Sequence, residues 1–235
     1  MKSNTSKMCS SCNNPLIKIY KPIKSARGME LFQCTGCGLM QSIGYQSYIS
    51  RPPGSMSCDA DRSSIKYTKS LVYQDQINWL KSIGIDPFNF KNYLDIGSNR
   101  GTFMKNNHQQ NKQDFTYHGV ETDPELVKDY PIGSNYTFVI ERIENVKLLP
   151  KSYDFIYFIH TLEHIVCLKE TLLKIRDSLQ EKGLLYICVP NIEFGAYESM
   201  NEIFIDPHTF HFERNTLINT IRNVGLKIDY INEEN

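Results

Sequence analysis

The 235-residue chain carries no excess charge of either sign, because twenty-six Lys and Arg face twenty-six Asp and Glu. That balance removes the broad electrostatic attraction by which proteins hold polynucleotides or anionic membranes, and leaves only local basic patches for such a role. Long apolar runs are also missing. No uninterrupted stretch approaches the roughly 20 residues that a membrane helix needs, and the opening "MKSNTSKMCSSC" lacks the apolar segment of a secretory signal. No membrane span and a cytoplasmic location are expected. Internal repeats and low-complexity tracts are absent, and the single tryptophan, Trp79, sits at helical spacing where a core role is expected. With 40% hydrophobic and 22% charged residues, the composition is that of a globular chain with one main domain and a small appendage.

Cysteine is present in an odd number, seven, and four of these form two pairs, Cys9-x-x-Cys12 and Cys34-x-x-Cys37. In a reducing compartment that spacing points to metal more than to disulfides, since each short turn aims two thiolates at one tetrahedral ion. Gly36 and Gly38 flank the last ligand and permit the tight turn that exposes backbone amides to sulfur. Four sulfur ligands leave no open position, so a zinc ion here is structural, and it supplies stability that so small a segment cannot gain from its own core. Cys58, Cys167 and Cys188 do not share the spacing, and Cys188 reads as a small core residue. Residues 1–45 are thus expected to form a zinc ribbon with hairpin-like runs "LIKIYKPIKS" and "MELFQC", and 46–62, rich in Pro, Gly and Ser, a linker or arm.

From 63 to 235 the pattern alternates. "SIKYTKSLVYQDQINWLKSIG" predicts a helix that stops at Gly84; "NYLDIG", "FTYHGVE", "NYTFVI", "YDFIYFI" and "LLYICVP" predict strands, the last of them buried. "TFMKNNHQQ" predicts a helix start and "PELVKDY" a helical turn or two. "CLKETLLKIRDSLQEKG" predicts a helix ended by Gly183, and "RNTLINTIRNVG" and "LKIDYI" a final helix and a sixth strand. Strands alternating with helices predict an α/β fold, a doubly wound, mostly parallel Rossmann-like sheet behind the ribbon.

"YLDIGSNRGTF" is an apolar strand running through Asp95, Gly97 and Gly101 into a helix, and about 20 residues on the next strand ends in Glu121, where a carboxylate can accept ribose hydroxyls. Strand, turn and acid together resemble the class I S-adenosylmethionine-dependent methyltransferases, over about residues 65–231. The turn departs from that family's glycine-rich motif at Asn99, which stands at its middle glycine. A dinucleotide-binding oxidoreductase favours G-x-G-x-x-G, which this turn does not present. The resemblance implies an S-adenosylmethionine site with Asp95, Gly97, Ser98, Asn99 and Gly101 toward the methionine, Glu121 and Thr122 at the ribose, Arg142 or Ile143 near the adenine, and Ile159 and His160 under the methionine. The family's antiparallel seventh strand has no counterpart, so an open edge or a shortened enzyme follows, as a monomer or a homodimer.

"HTLEH" places His160, Glu163 and His164 just past the fourth strand of this domain, and "DPHTFHFE" adds His208 and His211 after the fifth. At the carboxyl ends of the strands, these residues are expected to face the cofactor crevice. Three readings stay open: His164 or His160 is a general base supported by Glu163; His160, Glu163, His164 and His208 hold a second divalent metal; or Glu163 and His164 cap the next helix and pack the loop. The metal reading resembles the E-x-x-E-H plus later histidine of metal-dependent small-RNA 2'-O-methyltransferases, with His160 replacing the first glutamate. His211, in an aromatic run, reads as packing.

A zinc ribbon ahead of this catalytic domain resembles bacterial methyltransferases of nucleotide-linked sugars or surface-glycan precursors, which implies a small-molecule acceptor and a place in polysaccharide biosynthesis. RNA is the lesser candidate on the charge balance, and a non-catalytic partner-binding protein is the rival of another class. "SYISRPPGSM" and the loop bearing Tyr197 and Glu198 are candidates to cover the acceptor.

Overall fold

The computed structural model describes residues 7–21, 28–43, 63–103, 105, 110, 114–128, 130, 132–193, 204 and 208–232. The predicted arm at 46–62, Cys58, Tyr197 and Glu198 lie outside them. In chain order the strands are β1 (Leu16–Tyr20), β2 (Glu30–Cys34), β3 (Met40–Ile43), β4 (Asn92–Ile96), β5 (Thr116–Glu121), β6 (Tyr136–Ile140), β7 (Tyr153–Ile159), β8 (Leu179–Cys188) and β9 (Phe210–His211). The helices are α1 (Ser63–Ser82), α2 (Leu168–Ser178) and α3 (Arg214–Arg222), with single 3-10 turns at Ile143–Asn145 and Leu162–His164.

Two compact units result. One comprises Arg51–Ile159 and Asp177–Ile187; the other comprises Met1–Ser50, His160–Arg176 and Cys188–Asn235. The first holds a five-stranded sheet of order β6-β5-β4-β7-β8 in which β4 pairs in parallel with both β5 and β7, and β5 with β6. This is the Rossmann-like arrangement expected. Register puts Tyr93 opposite Tyr117 and Phe155, and Asp95 opposite Tyr157. Because side chains alternate across a strand, Tyr93 and Asp95 share one face with these rings, and ring contacts such as Phe90 stacked on Phe155 (4.6 Å) and Phe103 tilted against Tyr157 (4.4 Å) fill that layer. Trp79, half-buried on α1, lies against Tyr186 of β8.

The second unit holds a four-stranded antiparallel sheet, β1-β2-β3-β9. Its core gathers Met29, Leu31, Met40 and Phe204, with Tyr20 and Ile192 against them. The two-residue β9 pairs Met40 with His211 and Gln41 with Phe210, so residues remote in sequence complete the ribbon sheet. α3 starts at a reciprocal cap between Glu213 and Thr216 and is followed by Gly225 at φ +81°.

Three expectations change. The helix predicted to run to Gly183 ends at Ser178. The carbonyls of Asp177 and Ser178 accept the amides of Lys151 and Ser152, which satisfies the helix end and releases Leu179 onward into β8. β8 is half-buried rather than buried, as suits an edge strand of the sheet. "LKIDYI" forms no strand: it alternates half-buried Leu226 and Ile228 with exposed Lys227 and Asp229, and lines a groove with Arg214, Ile218 and Arg222 of α3.

Candidate active site and side-chain clusters

Gly97 (φ +77°) and Gly101 (φ +67°) turn the chain sharply after β4. Between them Asn99 is also left-handed, at φ +50°. Asparagine is among the few residues that tolerate this region, which explains how it replaces the expected glycine. Its side-chain oxygen accepts the Arg100 amide at 2.8 Å, and its carbonyl accepts the Tyr130 hydroxyl. The buried Ser98 hydroxyl lies 3.0 Å from the same tyrosine oxygen.

Glu121, at the end of β5, ties two loops together. Its Oε2 accepts the Asn99 amide (2.8 Å), and its Oε1 accepts the amides of Thr122 (2.7 Å) and Asp123 (3.0 Å), with the Thr122 hydroxyl at 3.3 Å. A carboxylate offers about four lone-pair sites, so Oε2, with one amide bound, keeps capacity for a ribose hydroxyl. The turn and the acid therefore fit S-adenosylmethionine. Ile143 is buried in its 3-10 turn, Arg142 pairs with Glu144 at 2.8 Å, and Ile159 is buried as the last residue of β7.

Asp95, which the resemblance places toward the methionine, is buried. Its register faces the aromatic layer, where Tyr117 donates to its carboxylate and lies 2.9 Å from the Tyr157 hydroxyl. Burial pushes Asp95 up to about 7, against the lowering pull of the tyrosine hydrogen bonds. Nothing in the spacing of Tyr117 and Tyr157 singled them out; only the sheet register joins them to Asp95.

The four cysteine sulfurs come together, with Cys9 and Cys37 at 3.7 Å and Cys12 and Cys34 at 3.3 Å, all four within 4.8 Å of one another and none in a disulfide. Amides of Ser11, Gly36 and Cys37 point at sulfur over 3.3–3.4 Å, and side-chain amides of Gln41 and Asn14 do so at 3.1 and 3.3 Å. Such donors stabilise thiolates. At Gly36 a Cβ would lie 2.5 Å from Asn14 Nδ2, so glycine lets the turn close. The cluster fits a zinc ribbon.

His160 follows β7 in a left-handed conformation (φ +50°), with its amide donating to Cys188 and its ring half exposed. Cys188 is half-buried, its sulfur 4.0 Å from His160 Nε2. The 3-10 turn Leu162–His164 then carries Glu163 inward, leaving its side chain 2% exposed. Oε1 lies 3.8 Å from both His160 Nδ1 and His164 Nε2, and Oε2 is buried with no hydrogen-bond partner among the described residues. Burial pushes the Glu163 carboxyl up to about 8. His208 packs edge-on against His164 at 4.8 Å, and burial, then His160, lowers it to about 4. His211 is buried, bonded through Nε2 to the Ser42 hydroxyl at 2.7 Å, and packed on Phe204. Of the four residues proposed as a second metal set, Glu163, His164 and His208 gather within 4.8 Å, and His160 does not join that group.

The family model described as "Methyltransferase domain" matches residues 73–231. No curated protein matches the sequence. Solved structures share the fold. One, assigned as an S-adenosylmethionine-dependent methyltransferase of Listeria monocytogenes, is 16% identical over 67% of this chain and 86% of its own, with a TM-score of 0.55. A SAM-dependent methyltransferase of Aquifex aeolicus is 13% identical over 77% and 92%, with a TM-score of 0.54. An S-adenosylmethionine-dependent methyltransferase of Mesorhizobium loti is 12% identical over 62% and 78%, with a TM-score of 0.53.

Proposed function

The chain belongs to the methyltransferase-domain family, and from this premise we propose that it methylates a small polar acceptor, a nucleotide-linked sugar or surface-glycan precursor. It is a class I S-adenosylmethionine-dependent methyltransferase. The observation that carries the cofactor reading is Glu121, bound to the Asn99 amide of the glycine turn with capacity left for ribose. When bound, S-adenosylmethionine supplies a methyl group on positively charged sulfur. The chain's part is then to fix the acceptor in line with that methyl, which provides most of the rate, and to take up the acceptor's proton.

We assign proton uptake to the imidazole of His160, whose side chain is 49% exposed, against 28% for His164. Imidazole is a common general base in catalysis. The small acceptor is favoured over RNA by the charge balance. The cysteine cluster holds structural zinc in this reading, supported by its five sulfur-directed N–H donors.

The test is calorimetry with S-adenosylmethionine followed by a screen of nucleotide sugars, phosphorylated small molecules and RNA for S-adenosylhomocysteine release. Turnover with nucleotide sugars is expected. Turnover on RNA with steeply salt-dependent binding would transfer the assignment to an RNA methyltransferase, and failure to bind the cofactor would leave a non-catalytic partner-binding protein.

A further inference from the structure

We propose that Glu163, His164 and His208 form a binding site for one divalent transition-metal ion, distinct from the cysteine cluster. The three side chains each offer a ligand atom, all within 4.8 Å of one another. The separation of Glu163 Oε1 from His164 Nε2, 3.8 Å, is too long for a hydrogen bond. It is close to the spacing of about 3.4 Å that two ligand atoms keep around one tetrahedral ion at metal–ligand distances of about 2.1 Å.

The second observation is the state of Glu163 itself. A buried carboxyl is ordinarily hydrogen-bonded or ion-paired, since an unpartnered one costs free energy. Glu163 is 2% exposed, and its Oε2 has no hydrogen-bond partner among the described residues. Helix capping does not account for Oε2, which accepts no hydrogen bond from the described residues. A cation bound by this carboxylate and two imidazoles satisfies the group.

Hydrogen bonds frame the ligands. The Thr209 amide donates to the Glu163 carbonyl at 2.8 Å, fixing the segment that bears His208 against the turn that bears Glu163 and His164. The Thr209 carbonyl accepts the Ser42 amide at 2.8 Å, and the Ser42 hydroxyl holds His211 at 2.7 Å behind His208. Strand β3 of the ribbon thus backs the ligand set. Two imidazoles and one carboxylate suit Mn²⁺, Fe²⁺, Co²⁺ or Zn²⁺ better than Mg²⁺ or Ca²⁺, which take oxygen ligands. Three protein ligands leave a position open for an acceptor oxygen or water. That use deepens the methyltransferase reading and rests on it; metal binding itself does not.

The experiment uses the full chain, freed of loosely bound metal with chelator and titrated with MnCl2 and with ZnCl2 by calorimetry, with metal content read by mass spectrometry. The wild type is expected to retain one tightly held zinc and to take up one further equivalent. H208A, H164A and E163Q keep the tight zinc and lose the further site, with affinity falling by more than the roughly 100-fold that loss of a supporting partner behind a ligand can cost. H160A takes up the further equivalent like the wild type. S-adenosylmethionine affinity is measured on the same samples and certifies folding; should E163Q fail to fold, H164A, at a half-buried position, decides. Absence of a further equivalent in the wild type, or its retention in H164A and H208A, overturns the site. Cofactor binding without a further metal would sink this inference and leave the methyltransferase standing.

Discussion

Two turns follow neighbouring parallel strands, one after β4 and one after β7, and each places a non-glycine residue in the left-handed region, Asn99 and His160. They differ in how their acids are satisfied. Glu121, which serves the first turn, accepts three backbone amides. Glu163, inside the second, keeps an oxygen buried without a hydrogen-bond partner among the described residues. The first turn is held by hydrogen bonds that the chain itself supplies. The second buries a carboxylate oxygen for which the described residues supply no hydrogen-bond partner, the state that the proposed cation would relieve.

The comparison can be broken at its foundation by removing the ribbon's metal. C34S is expected to destabilise the protein by several kcal/mol, because a lost zinc ligand removes folding free energy. As β3 loosens, β9 and the Ser42–His211 bond go with it. Thermal denaturation with zinc quantification checks this, and a wild-type melting profile with no zinc lost would separate the ribbon from the rest of its unit.

The next effect concerns Asp95, the acid buried beneath the first turn. Its folded pKa, about 7, stands above its ordinary value of 3.8, so the folded state holds the proton more tightly than the unfolded state. Stability contributed by the protonated form is complete below about pH 4 and falls as pH rises toward 7, by at most about 4 kcal/mol. D95N should flatten that slope in denaturant titrations run across this window; an unchanged slope would place it in another group.

E121A should weaken S-adenosylmethionine binding by about 2–3 kcal/mol, since charged hydrogen bonds contribute about 1.5–3 kcal/mol each. E163Q, in the second turn, should leave cofactor affinity within about twofold. Equal losses in the two variants by calorimetry would erase the distinction between the turns. Smallest is T122A, which removes only the long hydroxyl contact to Glu121 and should cost less than about 1 kcal/mol of cofactor binding.

Much of this was legible because the signals are local. The paired cysteines, the glycines at 97 and 101 and the acid at 121 act over a few bonds, where residue type and spacing constrain backbone shape directly. The end of α2 was not legible. Leu179 continues the apolar spacing of the helix, and only the amides of Lys151 and Ser152 end it. The C-terminal alternation at 226–230 reads as a strand, yet it forms none, since alternation alone does not make one.

The sequence by itself pointed to the family, to the four cysteines that gather and to the glycine turn after β4. Tertiary structure alone decided three things: that Asp95 is held by tyrosines, that a two-residue strand joins the ribbon to the segment bearing His208, and that Glu163 is buried beside two histidines with no hydrogen bond to its Oε2 among the described residues. The physical reason is range. A turn is fixed by the residues within it, whereas strand register and the satisfaction of a buried polar group depend on atoms brought together from distant parts of the chain.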